Sequence, residues 1–429
     1  MKEIYTFYLK QSIGEESSPV IKQSERVERG QLIAKKPDKG LGSHIYSSVS
    51  GEVTGIDDAS ISILADENQT SDYLKLSGQT PLELIEEAGI VGLGGAGFPT
   101  YVKLNHQFKN GGTILINAAE CEPILEHNIR RIEESPEEII EGISYILEIT
   151  QAEQAIIAYK DKHATSFEGL KRFLPDNISL KTLPDMYPAG DERAVIRECL
   201  GVLIDVDQLP LVADAIVVNV ETVYRIYEAI ALKKPLIDKD ITIAGKLKDS
   251  GKIEVKLDLP LGMQFGDIFT LVGGIGSEYG EIVEGGPYMG KRTQLDRFLS
   301  KTTGGLIAAE TFWKGPEKLG MIICACGASL ERMHEIAASM GSEVVDVQYC
   351  KQAIKVKGGL KCENPGICPG QVEKVLALKK AGAEGVLISH CTDCTNTVMA
   401  SAPKMNMKVY HGTDGSLRAC NIRLIRKAR

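Results

Sequence analysis

The sequence lacks a long apolar run and has no excess of basic residues. No segment approaches the ~18 consecutive apolar residues that mark a membrane-spanning helix, so we expect no transmembrane segment, with peripheral membrane association left open. The net charge is −9, and apart from the short end 423–429 the basic residues form no cluster, which argues against a nucleic-acid partner. No secretory signal is recognisable, so we expect a cytoplasmic protein with reduced thiols.

Cysteine is almost missing from the first three quarters of the chain and concentrated at its end. Eight of the ten cysteines follow residue 320. Cys391 and Cys394 form a Cys-x-x-Cys motif between a strand predicted at 385–389 and a helix predicted at 396–402. A thiolate at a helix start is stabilised by free backbone N–H groups, and a second cysteine one turn later can close a disulfide. The motif therefore predicts thiol redox chemistry, with these two cysteines as the catalytic pair.

The cysteine-rich segment contains an internal repeat. Gly320–Ile323 matches Gly385–Ile388 at an offset of 65 positions, and Glu343–Val345 matches Lys408–Tyr410 at the same offset. We predict two copies of one β-α-β unit, of which only the second carries the full cysteine pair.

Three uses of the cysteines compete. Structural disulfides are disfavoured because cytosolic thiols stay reduced. Zinc or an iron–sulfur cluster is a rival to thiol exchange, since enough thiolates are available, although the ferredoxin run of cysteines at two-residue spacings is absent. The candidate metal ligands are Cys324, Cys326, Cys362, Cys368, Cys391 and Cys394.

The amino-terminal part reads as short strands separated by turns over 20–56. This segment resembles the barrel-sandwich hybrid fold of biotinyl and lipoyl domains. Where such carriers present a modifiable lysine, this chain has Ser47, Ser48 and Ser50. We therefore expect a scaffold and no swinging arm.

A glycine-rich segment, IVGLGGAGFPTYVK, runs from Ile90 to Lys103. Its glycines remove side chains where a backbone must approach a flat ring or a phosphate. Alone, the segment is weak evidence, since a tight turn or a Rossmann loop would also fit and the G-x-G-x-x-G pattern does not match cleanly.

Three further motifs follow in order: NAAECEP at 117–123, YPAGDERAVI at 187–196 and VVNVETV at 217–223. Together with GLGGAGFPT, they resemble the flavin- and NADH-binding module of the RnfC family, which also occurs in the NADH-oxidising subunit of respiratory complex I. Four ordered motifs are more specific than one. The resemblance implies bound FMN, with NADH as electron donor.

The resemblance also implies roles for individual residues. The glycine loop and Lys103 would hold the FMN phosphate and the nicotinamide side, the acids of the second motif would contact ribityl or nicotinamide groups, and the fourth motif would hold the phosphate end. Amide-rich loops suit phosphate, and carboxylates suit ribose hydroxyls. The implied cofactor-binding residues are Gly92, Gly94, Gly95, Ala96, Gly97, Phe98, Thr100, Lys103, Asn117, Glu120, Glu122, Gly190, Asp191, Glu192, Asn219 and Thr222.

The segment 242–290 resembles the soluble-ligand-binding β-grasp (SLBB) domain, and we expect it to pack or dock without chemistry of its own. The predicted fold is thus a multidomain α/β protein with four parts. These are a barrel-sandwich hybrid at 1–75, a Rossmann-like FMN and NADH module at 76–236, a β-grasp domain at 237–315 and a duplicated, cysteine-rich β-α-β domain at 316–429.

The chain departs from RnfC after Thr302–Ala308, where that family carries two ferredoxin-type cluster motifs and this chain carries the duplicated thiol unit. The combination resembles the PrdC family of electron-transfer proteins. This implies transfer from NADH through flavin to Cys391 and Cys394, and on to D-proline reductase or another redox protein. Two alternatives stay open: an RnfC-like subunit that uses an iron–sulfur cluster to reach a membrane complex or ferredoxin, and a non-catalytic, zinc-binding docking protein.

Overall fold

Seven short strands form two antiparallel sheets at the amino end of the computed structural model, which describes residues 3–248, 252–390 and 396–424. The strands are β1 (Ile4–Tyr8), β2 (Ser18–Pro19), β3 (Arg26–Val27), β4 (Leu32–Lys35), β5 (Ile45–Tyr46), β6 (Gly51–Ile56) and β7 (Ser60–Ala65). Their orders are β1-β7-β6-β3 and β2-β4-β5. Alternate residues of β7 are buried, the pattern of a sheet with one face on the core.

The hairpin that carries a lysine in lipoyl domains is packed inward in this chain. Ser47 and Ser48 are buried. Ser47 Oγ donates to Val49 O (2.6 Å), and Ser48 Oγ donates to Leu261 O (2.5 Å) far along the chain. These contacts attach the amino-terminal sheets to the rest of the molecule, in keeping with a scaffold.

Four parallel strands form the next sheet, in the order β10-β9-β8-β11. The strands are β8 (Thr113–Ala118), β9 (Gln154–Lys160), β10 (Ile178–Leu183) and β11 (Ala215–Asn219). The helices of this segment are α1 (Pro81–Glu87), α2 (Thr100–Leu104), α3 (His127–Glu134), α4 (Pro136–Thr150), α5 (Glu192–Leu200) and α6 (Val220–Ala231).

Helices cover both faces of this sheet. Ile114 and Ile116 of β8 pack in one core with Val223 of α6, whereas Leu115 packs in a second core with Val195 of α5. The chain moves from β8 to β9 and β10 on one side, and then crosses to β11 on the other side of β8. In open parallel sheets, ligands bind outside the carboxyl ends of the strands at such a reversal.

A mixed five-stranded sheet follows, in the order β13-β12-β16-β14-β15. The strands β12 and β16, which come first and last along the chain, are parallel neighbours. All other neighbouring strands of this sheet are antiparallel. The β-grasp interpretation stays a prediction. The elements are β12 (Asp238–Gly245), β13 (Ile253–Pro260), α7 (Phe265–Thr270), β14 (Glu281–Glu284), β15 (Lys291–Thr293) and β16 (Gly305–Ala309).

A buried ion cluster joins the parallel sheet's helices to the mixed sheet. Arg225 of α6 contacts Glu228 (2.7 Å), Asp240 (2.8 Å) and Asp258 (2.7 Å). Arg131 of α3 adds a second guanidinium to Asp240 at 2.6 Å. Since both arginines are buried, each depends on these carboxylates for compensation of its charge.

The carboxyl-terminal part contains a parallel sheet in the order β18-β17-β21-β22 and a separate hairpin. The sheet strands are β17 (Lys318–Ile323), β18 (Glu343–Tyr349), β21 (Gly385–Ile388) and β22 (Lys408–His411), and the hairpin strands are β19 (Ala353–Val356) and β20 (Gly359–Cys362). The helices are α8 (Leu330–Ser339), α9 (Val372–Lys380), α10 (Thr397–Ser401) and α11 (Asp414–Ala419).

The two predicted β-α-β copies are present and meet in the middle of this sheet. Leu319 of β17 pairs with Gly385 of β21. Met333 of α8 packs on one face of the sheet, and Val398 of α10 packs on the other. The copies therefore run outward in opposite directions, which creates a second reversal point between β17 and β21.

Within the described ranges, no helix has both the length and the apolar character needed to cross a bilayer.

Candidate functional site

The glycine-rich loop lies against the start of α6. A Cβ on Gly94 would come within 2.5 Å of the Asn219 side chain, so this approach requires glycine. The backbone N–H of Leu93 donates to Thr222 Oγ1 (3.1 Å). Gly94, Gly95 and Ala96 are exposed. The loop thus offers free backbone beside the amino end of a 12-residue helix, an arrangement that attracts anions.

Contacts at its base fix the loop. Gly92 N–H donates to Phe98 O (2.9 Å), and Ile13 N–H of the amino-terminal segment donates to Gly97 O (3.0 Å). Gly97 has a φ of +71°, a conformation that favours glycine. Thr100, at the start of α2, is buried. Only the top of the loop is therefore open to a ligand.

Side chains from the other motifs meet at the carboxyl edge of the sheet. Asn117, near the end of β8, donates from Nδ2 to Gly190 O (2.8 Å). Lys103 Nζ donates to Val217 O (2.9 Å) and pairs with Glu192 Oε1 (3.1 Å). The four motifs that are far apart in sequence are thus brought into contact.

Two of the predicted ligands cap helices. The Asp191 side chain accepts from Arg193 N–H (2.9 Å) at the start of α5. The Asn219 side chain accepts from Glu221 N–H (2.9 Å) at the start of α6. Caps of this kind hold the helix ends in place, and ligand contact by these residues stays a prediction.

The acids of the second motif bind backbone amides. Glu120 Oε2 accepts from Asn128 N–H (3.0 Å). The carboxyl group of Glu122 accepts from Tyr288 N–H and Met289 N–H, both at 2.8 Å. Burial raises the pKa of Glu122 to about 7. Glu122 therefore ties the module to the mixed sheet's loop and can change its protonation state near neutral pH.

Five cysteines line one small cavity of about 30 Å³ beside the carboxyl edge of the second parallel sheet. Pro188 of the third motif and His390 line the same cavity. The cavity thus lies where the third motif and the cysteine-rich part meet. The cysteines are Cys324, Cys326, Cys350, Cys362 and Cys368.

One thiol pair sits at the ends of neighbouring strands. Cys324 directly follows β17, Cys350 directly follows β18, and the two thiols are within hydrogen-bond reach. Gln371 Nε2 also donates to Cys350 Sγ (3.1 Å). The hydrogen bond from Cys324, aided by that from Gln371, lowers the pKa of Cys350 to about 6, so a thiolate forms there at neutral pH.

A second thiol pair lies beside the helix α5, which begins in the third motif. Cys362 is within hydrogen-bond reach of Cys326, and this contact lowers the pKa of Cys362. Arg193 of α5 donates to Cys362 O (2.5 Å) and Glu363 O (2.7 Å). Arg197 donates to Asn364 Oδ1 (2.7 Å). The same helix that begins at the Asp191 cap therefore holds the Cys362 segment.

Three rings connect the parts of the molecule. Tyr187 stacks on Tyr288 with ring centroids 4.0 Å apart, and His390 meets both rings edge-on at 4.8 and 4.7 Å. His390 is 2% exposed and thus buried at this junction. Burial lowers its pKa to about 4, and neither ring nitrogen has a hydrogen-bond partner among the described residues.

The metal predictions gain no support from the geometry. Within the part of the chain that the structure describes, no three His, Cys, Asp or Glu side chains are arranged to hold a metal ion. Cys324, Cys326, Cys362 and Cys368 are present there but pair with each other or with polar neighbours. The predicted catalytic pair, Cys391 and Cys394, lies outside the described residues.

Sequence reasoning missed several residues of this region. Cys350 gave one signal, its place directly after the strand Glu343–Tyr349. Tyr187 gave another by its place in the third motif, whereas Tyr288 was assigned only to packing. Arg193 and Arg197 gave no usable signal, because the atoms that they bind in the Cys362 segment lie over 160 positions away.

Comparison with known proteins identifies the family. Residues 85–228 match the Nuo51 FMN-binding domain, and residues 1–70 match the RnfC barrel-sandwich hybrid domain. The chain is 32% identical over 320 residues to the C subunit of the proton-translocating ferredoxin:NAD(+) oxidoreductase complex of Clostridium ljungdahlii, covering 70% of this chain and 69% of that protein. The chain belongs to the RnfC family. The barrel-sandwich hybrid and FMN-module predictions are confirmed at this level.

This chain covers a smaller share of two other relatives. A second RnfC-family protein, the C subunit of the ion-translocating oxidoreductase complex of Rhodobacter capsulatus, is 29% identical over 75% of this chain and 66% of its own length. Cobalamin reductase PduS of Citrobacter freundii is 37% identical over 56% of this chain. The chain spans 51% of that reductase, so its activity does not transfer directly.

Among solved structures, an NAD+-reducing [NiFe]-hydrogenase in the air-oxidised state matches 53% of this chain and 46% of its own chain, with a TM-score of 0.45 and 19% identity. A likeness of this extent supports no statement about function.

Proposed function

We propose that this chain is a flavin-containing electron-transfer protein that accepts two electrons from NADH and passes them to cysteine thiols in its carboxyl-terminal part. The single observation that carries the proposal is the contact network at the carboxyl edge of the first parallel sheet. Asn117–Gly190, Lys103–Glu192 and Leu93–Thr222 join all four motifs, within a segment that matches an FMN-binding domain.

The residues present fit FMN. The exposed top of the glycine loop and the start of α6 would hold the phosphate, since backbone N–H groups and the helix dipole favour an anion. Lys103 lies at the same edge and is partly exposed, so it can turn from Glu192 toward added negative charge. Bound FMN supplies a centre that accepts hydride and releases electrons.

The chain's own acids would manage protons and position. Glu122 has a pKa of about 7, so it can hold or release a proton when NADH is oxidised nearby. Its two backbone donors belong to the loop that carries Tyr288. A change in the charge of Glu122 would therefore alter its hydrogen bonds to this loop, where the module meets the mixed sheet.

Cys391 and Cys394 are the proposed exit pair, and D-proline reductase or another redox protein is the proposed acceptor. The support is the resemblance to the PrdC family and the replacement of ferredoxin-type motifs by a thiol unit. In this step the thiol pair would lose two electrons and two protons and close a disulfide, and the acceptor would take up the same two electrons and two protons.

A cluster-based route is the second candidate. The observation that favours it is the gathering of five cysteines around one cavity. Against it, no three ligands within the described ranges are arranged around a metal position. Iron and zinc content of the anaerobically purified protein separates the candidates.

The proposal is tested by recording the visible spectrum of the anaerobic protein and adding NADH. We expect flavin bands that bleach, followed by free thiols that can be titrated. D-proline reductase, ferredoxin and a cob(III)alamin serve as alternative acceptors in the same assay. A protein that binds no flavin, or whose bound flavin does not respond to NADH, contradicts the proposal.

A further inference from the structure

The surroundings of the thiol pair Cys326–Cys362 include residues of the third motif. Cys326 is close enough to Tyr187 for its charge to raise the pKa of that tyrosine, and Asp191 is likewise close enough to affect Cys362. Pro188 lines the cavity that both cysteines share. The pair is thus adjacent to the segment 187–191 that carries the third flavin motif.

The pair can close a disulfide without a large movement. The two thiols are already within hydrogen-bond reach, and residues in such contact can approach the geometry of an S–S bond. Both side chains are partly exposed, unlike the buried Cys324 and Cys350. The contact partner Gln352 reaches Cys362 Sγ only at 3.7 Å, a weak restraint.

The segment that carries Cys362 is anchored on α5 of the FMN-binding module. Arg193 and Arg197 hold its backbone through Cys362 O, Glu363 O and Pro365 O at 2.5 to 2.8 Å. Lys361 Nζ adds a bond to Val206 O (3.0 Å). These three cationic side chains fix one thiol beside the third motif.

We propose that Cys326 and Cys362 form a redox-active disulfide that receives the electron pair from the flavin side before the exit pair Cys391 and Cys394. The inference rests on the proposed function. On reduction the Cys326–Cys362 S–S bond breaks, two electrons and two protons are taken up, and two thiols form. The reduced flavin gives up these two electrons and is thereby oxidised. Thiol–disulfide exchange then moves the pair onward, with one disulfide opened for each one closed.

The experiment maps disulfides in the full-length protein without reductant, by peptide mass spectrometry after oxidation with diamide. We expect a linked peptide that joins Cys326 to Cys362. In flavin-free protein, this link should open in dithiothreitol redox buffers as one two-electron transition. In flavin-loaded protein, NADH alone should open it.

The outcomes separate the two proposals. Oxidised protein without this link, or with Cys326 and Cys362 joined to other cysteines, overturns the inference even if NADH still bleaches the flavin. A link that forms and titrates in flavin-free protein, together with flavin that ignores NADH, upholds the disulfide and removes the proposed function.

Variants supply the kinetic control. Cys326→Ser and Cys362→Ser should each slow NADH-dependent appearance of thiols by about tenfold or more, with flavin bleaching unchanged. Cys199→Ser, on the same helix as the two arginines but outside the cavity, should change neither. Equal thiol formation in all three variants contradicts the inference, and the wild-type map decides the matter if a variant does not fold.

Discussion

At the residue scale, two neighbouring glycines of the loop differ in what an added side chain would contact. A Cβ on Gly94 would meet the Asn219 side chain at 2.5 Å, whereas a Cβ on Gly95 would meet no atom within 4 Å. Neither glycine has a positive φ, so alanine strains the backbone at neither position. Gly95 is therefore the position where a methyl group would collide only with a bound cofactor.

We predict that Gly95→Ala leaves the melting temperature of flavin-free protein unchanged and weakens FMN binding by about tenfold or more, since a lost phosphate contact costs roughly 1.5–3 kcal/mol. Fluorescence titration with FMN and thermal unfolding measure the two effects. Gly169→Ala, exposed and equally free of neighbours, should change neither quantity. Unchanged FMN affinity in the Gly95 variant would remove the loop from the binding site.

Glu122 yields a prediction about pH. Its folded pKa of about 7 lies above the ordinary value, so the folded state favours the protonated form. The stabilisation is complete below the ordinary carboxyl pKa and is lost as pH rises through 7. We predict that Glu122→Gln reduces this loss between pH 5 and 8.

Thermal unfolding across that range tests the prediction. The melting temperature of the wild type should fall relative to Glu122→Gln as pH rises. The exposed-site variant Glu67→Gln should follow the wild type. Parallel curves for Glu122→Gln and the wild type would show that this carboxyl group is ionised at all of these pH values.

At the element scale, α5 connects flavin motif and thiol segment. Its amino end is capped by Asp191, and its Arg197 binds Asn364 and Pro365. We predict that Arg197→Ala loosens residues 359–366, raising their hydrogen-exchange rates, and slows NADH-dependent disulfide reduction without affecting flavin bleaching. Arg172→Ala, on an exposed turn, should have no effect. Unaltered exchange in 359–366 would mean that Arg197 does not anchor this segment.

Elements that carry a regular local pattern were predictable. The strand at 385–389 and the helix at 396–402 are found as β21 and α10. Both depend on local signals, since an apolar run forms the strand and Pro403 ends the helix. The offset repeat predicted two β-α-β copies, but the pairing of β17 with β21 was not part of that prediction. The stack of Tyr187, Tyr288 and His390 was not predictable, because it depends on how three separately folded layers meet and leaves no period in the sequence.

At the scale of the whole molecule, the ion cluster around Asp240 holds the FMN-binding module to the mixed sheet. Burial alone would raise the pKa of Asp240, but the guanidinium groups of Arg225 and Arg131 outweigh it and hold that pKa well below its usual range. The resulting stabilisation is present above the ordinary carboxyl pKa and is lost as pH falls below about 4. Acid should therefore weaken the contact between the FMN-binding module and the mixed sheet.

We predict that Asp240→Asn destabilises the protein at pH 7 by about 3–5 kcal/mol, since two buried arginines lose a shared carboxylate. Urea unfolding at pH 7 and at about pH 2.5, which is below the ordinary carboxyl pKa, measures this, and the gap to the wild type should shrink at the lower pH. Asp66→Asn breaks the exposed pair with Arg26 and should cost no more than ~1 kcal/mol. Similar losses for the two variants would mean that the buried cluster contributes no more than a surface pair.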